Sequence, residues 1–221
     1  MSVYFYNSIP KYYMDRFKAV RGSLDNLFNV LQAIEIVNCC HSCNVENIKG
    51  DLDFNLAIFT GDFHRFLIRK DDGYFSMAIP FQVIIEGETI SFNSDLLQEN
   101  VGGHVISILR NAISSTLDSS HSHEEVILSI VDNFNLSFPE ALLYYDTFTS
   151  LLANDHGYFR FDDDEEHENG HVHPRYHFDV FYKNTSSIKI GYDKYDTLDC
   201  FYSLVDKNIP KKYLASDSLV F

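Results

Sequence analysis

Residues 52–58, Leu-Asp-Phe-Asn-Leu-Ala-Ile, are central to the predicted fold because large apolar side chains alternate with polar or small ones. Such alternation is typical of a β-strand with one buried face. Three more segments with strand character follow, separated by short turns that contain glycine. They cover 63–70, then 74–85, where Pro80 marks an edge or a bulge, and finally 89–92. The short turns predict an antiparallel β-meander over 51–93.

The N-terminal part predicts a long helix within 1–37. From Tyr13 to Ile34 the apolar residues recur in alternating steps of four and three, which is a helical period. The pair Gly22-Ser23 could bend or divide this helix. We interpret the apolar stripe as the face that lies on the domain core. The alternative is a helix that pairs with a partner or with a second copy of itself.

Helical character returns in an acidic insert over 94–153. Ser94 is a candidate N-cap for a helix that ends near Leu117. Two S-x-x-E capping boxes then begin at Ser122 and Ser137, and each predicts the start of a further helix.

The order of these elements predicts an α+β fold. Helices would cover an antiparallel β-meander and a C-terminal β-hairpin, and the long N-terminal helix would pack on the same core. The region 156–221 contributes the His-rich hairpin and a closing helix at about 197–208. We expect the whole chain, 1–221, to form a single domain, since such a length is within the range of one domain.

Composition and charge limit the classes of partner. The chain of 221 residues carries a net charge of −15. Between 71 and 159 the single basic residue is Arg110, against 13 Asp and Glu. Phosphate contacts need clustered Lys and Arg, so direct nucleic-acid binding by this region is not expected. We expect a protein partner with a basic surface, although strong negative charge can also serve solubility alone.

The sequence favours a cytoplasmic location. No apolar run reaches the roughly 20 residues of a membrane span. The N-terminus lacks the basic and long apolar regions of a signal peptide. The four cysteines, at 39, 40, 43 and 200, do not suggest a disulfide framework in a chain of this size.

A histidine-rich stretch is the strongest candidate for chemistry. Five of the ten histidines fall between His156 and His177, around an acidic run at 162–170 that we interpret as an exposed loop. Imidazole titrates near neutrality and is the commonest metal ligand. The stretch therefore predicts a site on the strand that follows it.

The phase of the C-terminal hairpin decides which side chains meet. His177 and Asp179 share one face of the predicted strand because side chains alternate. An odd number of loop residues would pair the isoleucines of the next strand with apolar neighbours, and we expect this phase. Lys189 would then join His177 and Asp179 on one polar face, with His171 and His173 at its entrance.

Three interpretations of this face remain open. A divalent metal such as Zn²⁺ or Fe²⁺ could be held by four imidazole and carboxylate ligands. These candidate ligands are His171, His173, His177 and Asp179. Alternatively, His177 and Asp179 could act without metal on a phosphodiester, with Lys189 stabilising negative charge. The third interpretation is a structural polar face whose imidazoles bond to the acidic run.

The same motif carries a resemblance. His171-Val172-His173-Pro174, followed by His177-Phe178-Asp179 and then Ser187-Ile188-Lys189-Ile190-Gly191, resembles the C-terminal half of certain small uncharacterised prokaryotic proteins. Those proteins have an H-P-x-x-H strand hairpin and occur in mobile-element, toxin–antitoxin and phage-defence neighbourhoods. The resemblance covers 157–221. It implies a bacterial cytosolic protein with a defence role and transfers no activity.

Two functions are therefore expected. The first is an acidic protein-interaction or regulatory subunit of a bacterial defence or toxin–antitoxin type system, which would use its acidic middle and its apolar helix. The second is a small hydrolase or nuclease with a His/Asp site on the 171–189 hairpin.

Overall fold

The computed structural model describes residues 2–40, 43–44, 54–61, 64–87, 89–119, 122–154, 157–170, 172–180, 188–192 and 201–202. The chain divides into two compact units. The first comprises Met1–Ser8, Cys43–Ala78 and Gly157–Phe221, and the second comprises Ile9–Ser42 and Ile79–His156. That the whole chain behaves as a single domain stays a prediction.

The described elements confirm a mixed α+β protein with antiparallel sheets. In chain order they are β1 (Ser2–Tyr6), α1 (Lys11–Met14), α2 (Ser23–Cys39), β2 (Cys43–Asn44), β3 (Leu56–Thr60), β4 (Arg65–Lys70), β5 (Gly73–Ala78), β6 (Gln82–Glu86), β7 (Thr89–Ser94), β8 (Glu99–Asn100), α3 (Gly103–Asp118), α4 (His123–Phe134), α5 (Phe138–Ala153), β9 (Phe159–Asp163), β10 (Tyr176–Val180) and β11 (Ile188–Tyr192). None of these helices combines the length and apolar character that a membrane span requires.

The first unit is built on an eight-stranded sheet in the order β11-β10-β9-β5-β4-β3-β1-β2. Each neighbouring pair is antiparallel. One face carries a cluster of buried apolar side chains, namely Val3, Phe5, Phe54, Ala57, Phe59, Leu67 and Phe201. Phe201 and its neighbour Tyr202 are helical, and the rest of the predicted C-terminal helix lies outside the described residues.

The predicted meander is confirmed for β3, β4 and β5, which are consecutive neighbours in the sheet. The prediction of one strand over 74–85 is wrong, because that segment divides into β5 and β6 around Pro80. Proline has no N–H with which to continue a ladder. β6 and β7 belong instead to a three-stranded sheet of the second unit, in the order β6-β7-β8.

The prediction of a long N-terminal helix is wrong. The chain begins with strand β1, and α1 has only four residues before the 17-residue helix α2. The segment between the helices is held out of helical conformation by Asn29. Its side chain accepts the N–H of Lys18 and donates to the carbonyl of Lys18, both at 2.8 Å. The interpretation of a core helix is confirmed for α2, since Leu27, Leu31 and Ile34 have no exposed surface.

The two capping boxes begin helices as predicted. The Ser122 hydroxyl accepts the N–H of Glu125 at the start of α4. Ser137 and Glu140 cap each other's backbone at the start of α5. Both side chains satisfy N–H groups that the first turn of a helix leaves unpaired.

The predicted helix start at Ser94 is wrong. Ser94 is the last residue of β7 and pairs with Glu99 of β8. Its hydroxyl accepts the N–H of Leu97, so it caps a turn between two strands rather than a helix. The helix α3 begins only at Gly103.

Candidate functional site

The C-terminal hairpin has the predicted phase. Residues 181–187, an odd number, separate β10 from β11. Phe178 pairs with Ile190, and Val180 pairs with Ile188, as apolar pairing requires. Lys189 stands opposite Asp179. The contacts of its side chain lie outside the described part of the structure.

Strand β9 adds two charged residues to the same face. His177 pairs with Asp162, and Asp179 pairs with Arg160. On the other face Phe161 and Phe178 pack edge to face, with ring centroids 5.2 Å apart. The hairpin is therefore apolar on one side and carries an arginine, a histidine and two aspartates on the other.

Three of these side chains form a buried group. Asp162, His177 and Asp179 are 9%, 0% and 3% exposed, and one ligand atom of each lies within 4.8 Å of the other two. The Nε2 atom of His177 is 3.6 Å from Asp162 Oδ2 and 3.8 Å from Asp179 Oδ1. Ligands of a tetrahedral Zn²⁺ lie roughly 3.4 Å from one another, as follows from metal–ligand bonds near 2.1 Å. The two distances from His177 are within a few tenths of an ångström of this value, so the group could hold a metal ion if Arg160 gave up its contacts with the carboxylates.

The orientation of His177 is fixed by the residue before the strand. Its Nδ1–H donates to the carbonyl oxygen of Pro174 at 2.7 Å. This bond places a proton on Nδ1, so Nε2, which faces both aspartates, is the ring atom that a metal could bind. Metal-binding histidines in proteins are commonly held in this way by a carbonyl or a carboxylate.

Arg160 compensates the charge of the two aspartates. Its Nη2 atom is 2.6 Å from Asp162 Oδ2 and 2.8 Å from Asp179 Oδ2. Burial nevertheless raises the pKa of Asp162 above its ordinary value, against the opposing attraction of Arg160. The site therefore combines a positive charge, two carboxylates and an imidazole in a region that is largely closed to water.

His173 packs its ring edge to face against that of His177, with centroids 4.9 Å apart, but it is not a member of the buried group. The Nε2 atom of His173 is 3.1 Å from Asp164. His167 bonds to the same carboxylate, which raises the pKa of that imidazole. These two contacts agree with the structural interpretation of the acidic run. His171 lies outside the described residues.

Sequence analysis missed Asp162 and Arg160 as members of the site. The composition of the acidic run predicts a loop from 162 onward, whereas β9 continues to Asp163. The signal was present in the alternation of Phe159 and Phe161 with Arg160 and Asp162. That alternation extends the strand by two residues and places both charged side chains on one face.

The site thus unites His177 and Asp179, which were predicted, with Asp162 and Arg160, which were not. A search of protein-family models, of curated proteins and of solved structures finds no match to this chain.

Proposed function

We propose that the protein binds a divalent metal such as Zn²⁺ through Asp162, His177 and Asp179 and hydrolyses a phosphodiester. One observation carries the proposal: three buried ligand atoms from two adjacent strands lie within 4.8 Å of one another. Three protein ligands with a further position for water are typical of catalytic zinc sites. Mn²⁺ is a second suitable ion, because carboxylates favour harder cations. Either ion would supply a bound water with a lowered pKa.

Arg160 supports a phosphodiester as the substrate class. Its guanidinium contacts both carboxylates, and a cation held by the same carboxylates would compete with it. Once displaced, Arg160 would be available to phosphate oxygens, which its planar fork of donors fits. Arg160 would then stabilise the negative charge that develops during hydrolysis. The sequence alone predicts Lys189 in this role.

Metal binding is tested by comparing His177→Ala with the control His167→Ala, whose imidazole is exposed and bonds to Asp164 outside the buried group. We expect the wild type and the control to bind one equivalent of Zn²⁺ or Mn²⁺ in calorimetry. His177→Ala should lower the metal affinity more than about 100-fold. This exceeds the loss that follows when a residue bonded to a metal ligand, rather than the ligand itself, is replaced. Affinity should also fall as the pH is lowered toward the raised pKa of Asp162, because protons and the metal compete for that carboxylate. Equal affinity of the two variants would rule out the site.

Hydrolysis is tested on RNA, on DNA and on a chromogenic phosphodiester. Arg160→Gln removes the competitor for the carboxylates and the proposed phosphate contact together. We expect this variant to bind metal at least as tightly as the wild type, while its kcat falls by about 10²–10³. If the metal-loaded wild type cleaves none of the three substrates, the hydrolase activity is rejected and only the metal-binding site is retained.

We propose as a second candidate an acidic interaction or regulatory subunit of a bacterial defence or toxin–antitoxin type system, located in the cytoplasm. Helices α4 and α5 contain no Lys or Arg and five carboxylates, namely Glu124, Glu125, Asp132, Glu140 and Asp146. They also expose large apolar side chains, namely Leu128, Phe138, Leu142 and Leu143. Apolar anchors within an acidic surface suit a basic partner. The resemblance of 157–221 to proteins of such loci supports this setting.

A further inference from the structure

Strand β6 forms an edge of the three-stranded sheet in the second unit. Among the described residues it pairs only with β7. Its centre is apolar, with Val83, Ile84 and Ile85, and Ile85 is 40% exposed. Natural proteins usually protect such edges with charge, proline or a covering element, because an unpaired apolar strand recruits another strand.

The hydrogen-bonding phase of β7 shows which backbone groups of β6 face the edge. The carbonyl of Phe92 accepts the N–H of Val101 at 2.7 Å, so Phe92 directs its backbone groups away from β6. Hydrogen-bonded and non-hydrogen-bonded pairs alternate along an antiparallel ladder. Val83 pairs with Phe92, and Ile85 pairs with Ile90. Val83 and Ile85 therefore direct their N–H and C=O groups toward the edge that no described strand covers.

The turn between β6 and β7 gives the same alternation of hydrogen-bonded and non-hydrogen-bonded residues along β6. Glu86 pairs with Thr89, and two residues separate them in sequence. A two-residue hairpin turn is closed by a hydrogen bond between its flanking residues. Gly87 has φ +64°, as the first turn residue of either type of two-residue hairpin turn that fits the twist of the strands requires. Counting back from Glu86, the residues whose backbone bonds to β7 are Ile84 and Gln82. The backbone N–H and C=O groups of Val83 and Ile85 therefore point away from β7.

We propose that two copies of this chain pair through β6, antiparallel and centred on Ile84. In this register Val83 stands opposite Ile85 of the second copy, and the reverse pair repeats by symmetry. Each of these pairs exchanges two backbone hydrogen bonds, so all four outward groups of each strand are satisfied. If the register were shifted by two residues, only one pair formed from Val83 and Ile85 would be directly opposed, instead of two.

The side chains of this register are self-complementary. Glu86, the one charged residue of β6, stands opposite the amide of Gln82 rather than a second carboxylate. On the other face, Val83 and Ile85 would continue the apolar layer of Phe92 and Ile90, which are buried. Cross-strand pairs of these kinds stabilise antiparallel sheets, whereas like charges directly opposite each other destabilise them. A second copy therefore fits this edge without a repulsive contact.

The experiment uses opposite charges at Gln82. Gln82→Lys creates two Lys–Glu pairs in each dimer, and Gln82→Glu creates two Glu–Glu pairs. We expect the dimer dissociation constant from sedimentation to fall in the first variant and to rise in the second. Each change should be between about 2-fold and 30-fold, since two cross-strand pairs change together. Ser150→Lys and Ser150→Glu in α5 make the same changes in net charge away from β6 and should have little effect.

A second pair of variants separates the register from general charge effects. Adding Glu86→Lys to Gln82→Glu should restore dimerisation, because every Glu–Glu pair becomes a Glu–Lys pair. Val83→Pro removes an outward N–H and leaves the bonds to β7 intact, so it should weaken the dimer in a folded protein. A wild type that remains monomeric up to about 1 mM would overturn the proposal. A dimer that does not respond to either substitution of Gln82 would overturn it as well.

Discussion

Gly191 connects the outer strand of the first unit to the orientation of His177. The two residues are directly paired between β10 and β11. A Cβ atom at position 191 would lie 2.9 Å from Cγ of Pro174, closer than real contacts allow. The carbonyl of Pro174 holds the Nδ1–H of His177. Any side chain at 191 must therefore displace the residue that sets the direction of the imidazole.

Gly191→Ala should lower metal affinity without removing a ligand. We expect a loss of about 10–100-fold, as is usual when an outer contact of a metal ligand is disturbed. Gly103→Ala is the matched control, because nothing lies within 4 Å of a Cβ atom built there. Titration calorimetry with Zn²⁺ measures both variants, and thermal melting shows whether each is folded. The same affinity in both variants would mean that Pro174 does not position His177.

At the residue scale, half of the candidate site was predictable from sequence. His177 and Asp179 share a face by strand alternation, and apolar pairing of Phe178 and Val180 fixes the phase of the hairpin. The position of Asp162 depends on where β9 ends, and element ends are the least certain part of a sequence reading. A run of carboxylates also has the composition of a loop, so its first member was assigned to the wrong element.

At the scale of elements, the start of α5 is defined by a capping box. Ser137 precedes the helix, and Glu140 accepts the backbone N–H of Ser137 at 2.8 Å. Hydrogen bonds from the Ser137 hydroxyl and from the Ser137 N–H lower the pKa of Glu140. Proline follows at position 139 in the first turn, where no N–H is needed. Local sequence alone therefore sets this boundary.

Ser137→Ala should destabilise the second unit by about 1 kcal/mol, the usual cost of removing a side-chain N-cap. Chemical denaturation followed by circular dichroism measures this difference. Ser150→Ala is an exposed substitution within the same helix and should change stability by less than about 0.5 kcal/mol. Equal stability of Ser137→Ala and the wild type would show that water replaces the cap.

Helices whose ends depend on distant contacts were not predictable. The stripe from Tyr13 to Ile34 has a helical period throughout, yet the chain is not helical between α1 and α2. Asn29, within α2, holds the backbone of Lys18 by two hydrogen bonds. The spacing of apolar residues cannot predict such a contact. Phe17 and Val20 are buried all the same. The apolar pattern thus identified buried residues correctly and their conformation incorrectly.

At the scale of the whole molecule, the distribution of negative charge predicts how a partner binds. The net charge is −15, and helices α4 and α5 contain no basic residue. Long-range attraction to a basic partner is screened by salt over about 10 Å at 0.1 M. Binding through these helices should therefore depend on both ionic strength and the exposed apolar side chains.

A synthetic amphipathic peptide of Lys and Leu serves as the probe of this surface. We expect its affinity to fall about tenfold between 50 and 200 mM salt. Replacing Phe138 and Leu142 by serine should weaken binding further, whereas Leu117→Ser on α3 is the control for an exposed apolar residue elsewhere. Fluorescence anisotropy of a labelled peptide measures all three proteins. Binding that ignores salt and both sets of substitutions would argue against the interaction subunit.

The pairing of β5 with β9 has a consequence for biosynthesis. The two strands are neighbours in the sheet, although all of 79–156 lies between them in the chain. A ribosome therefore completes the segments of the second unit, Ile9–Ser42 and Ile79–His156, before it makes β9. Until then the edge of β5 lacks its partner β9, and such open edges are prone to aggregate. Asp162, His177 and Asp179 can therefore come together only after the ribosome has made both segments of the second unit.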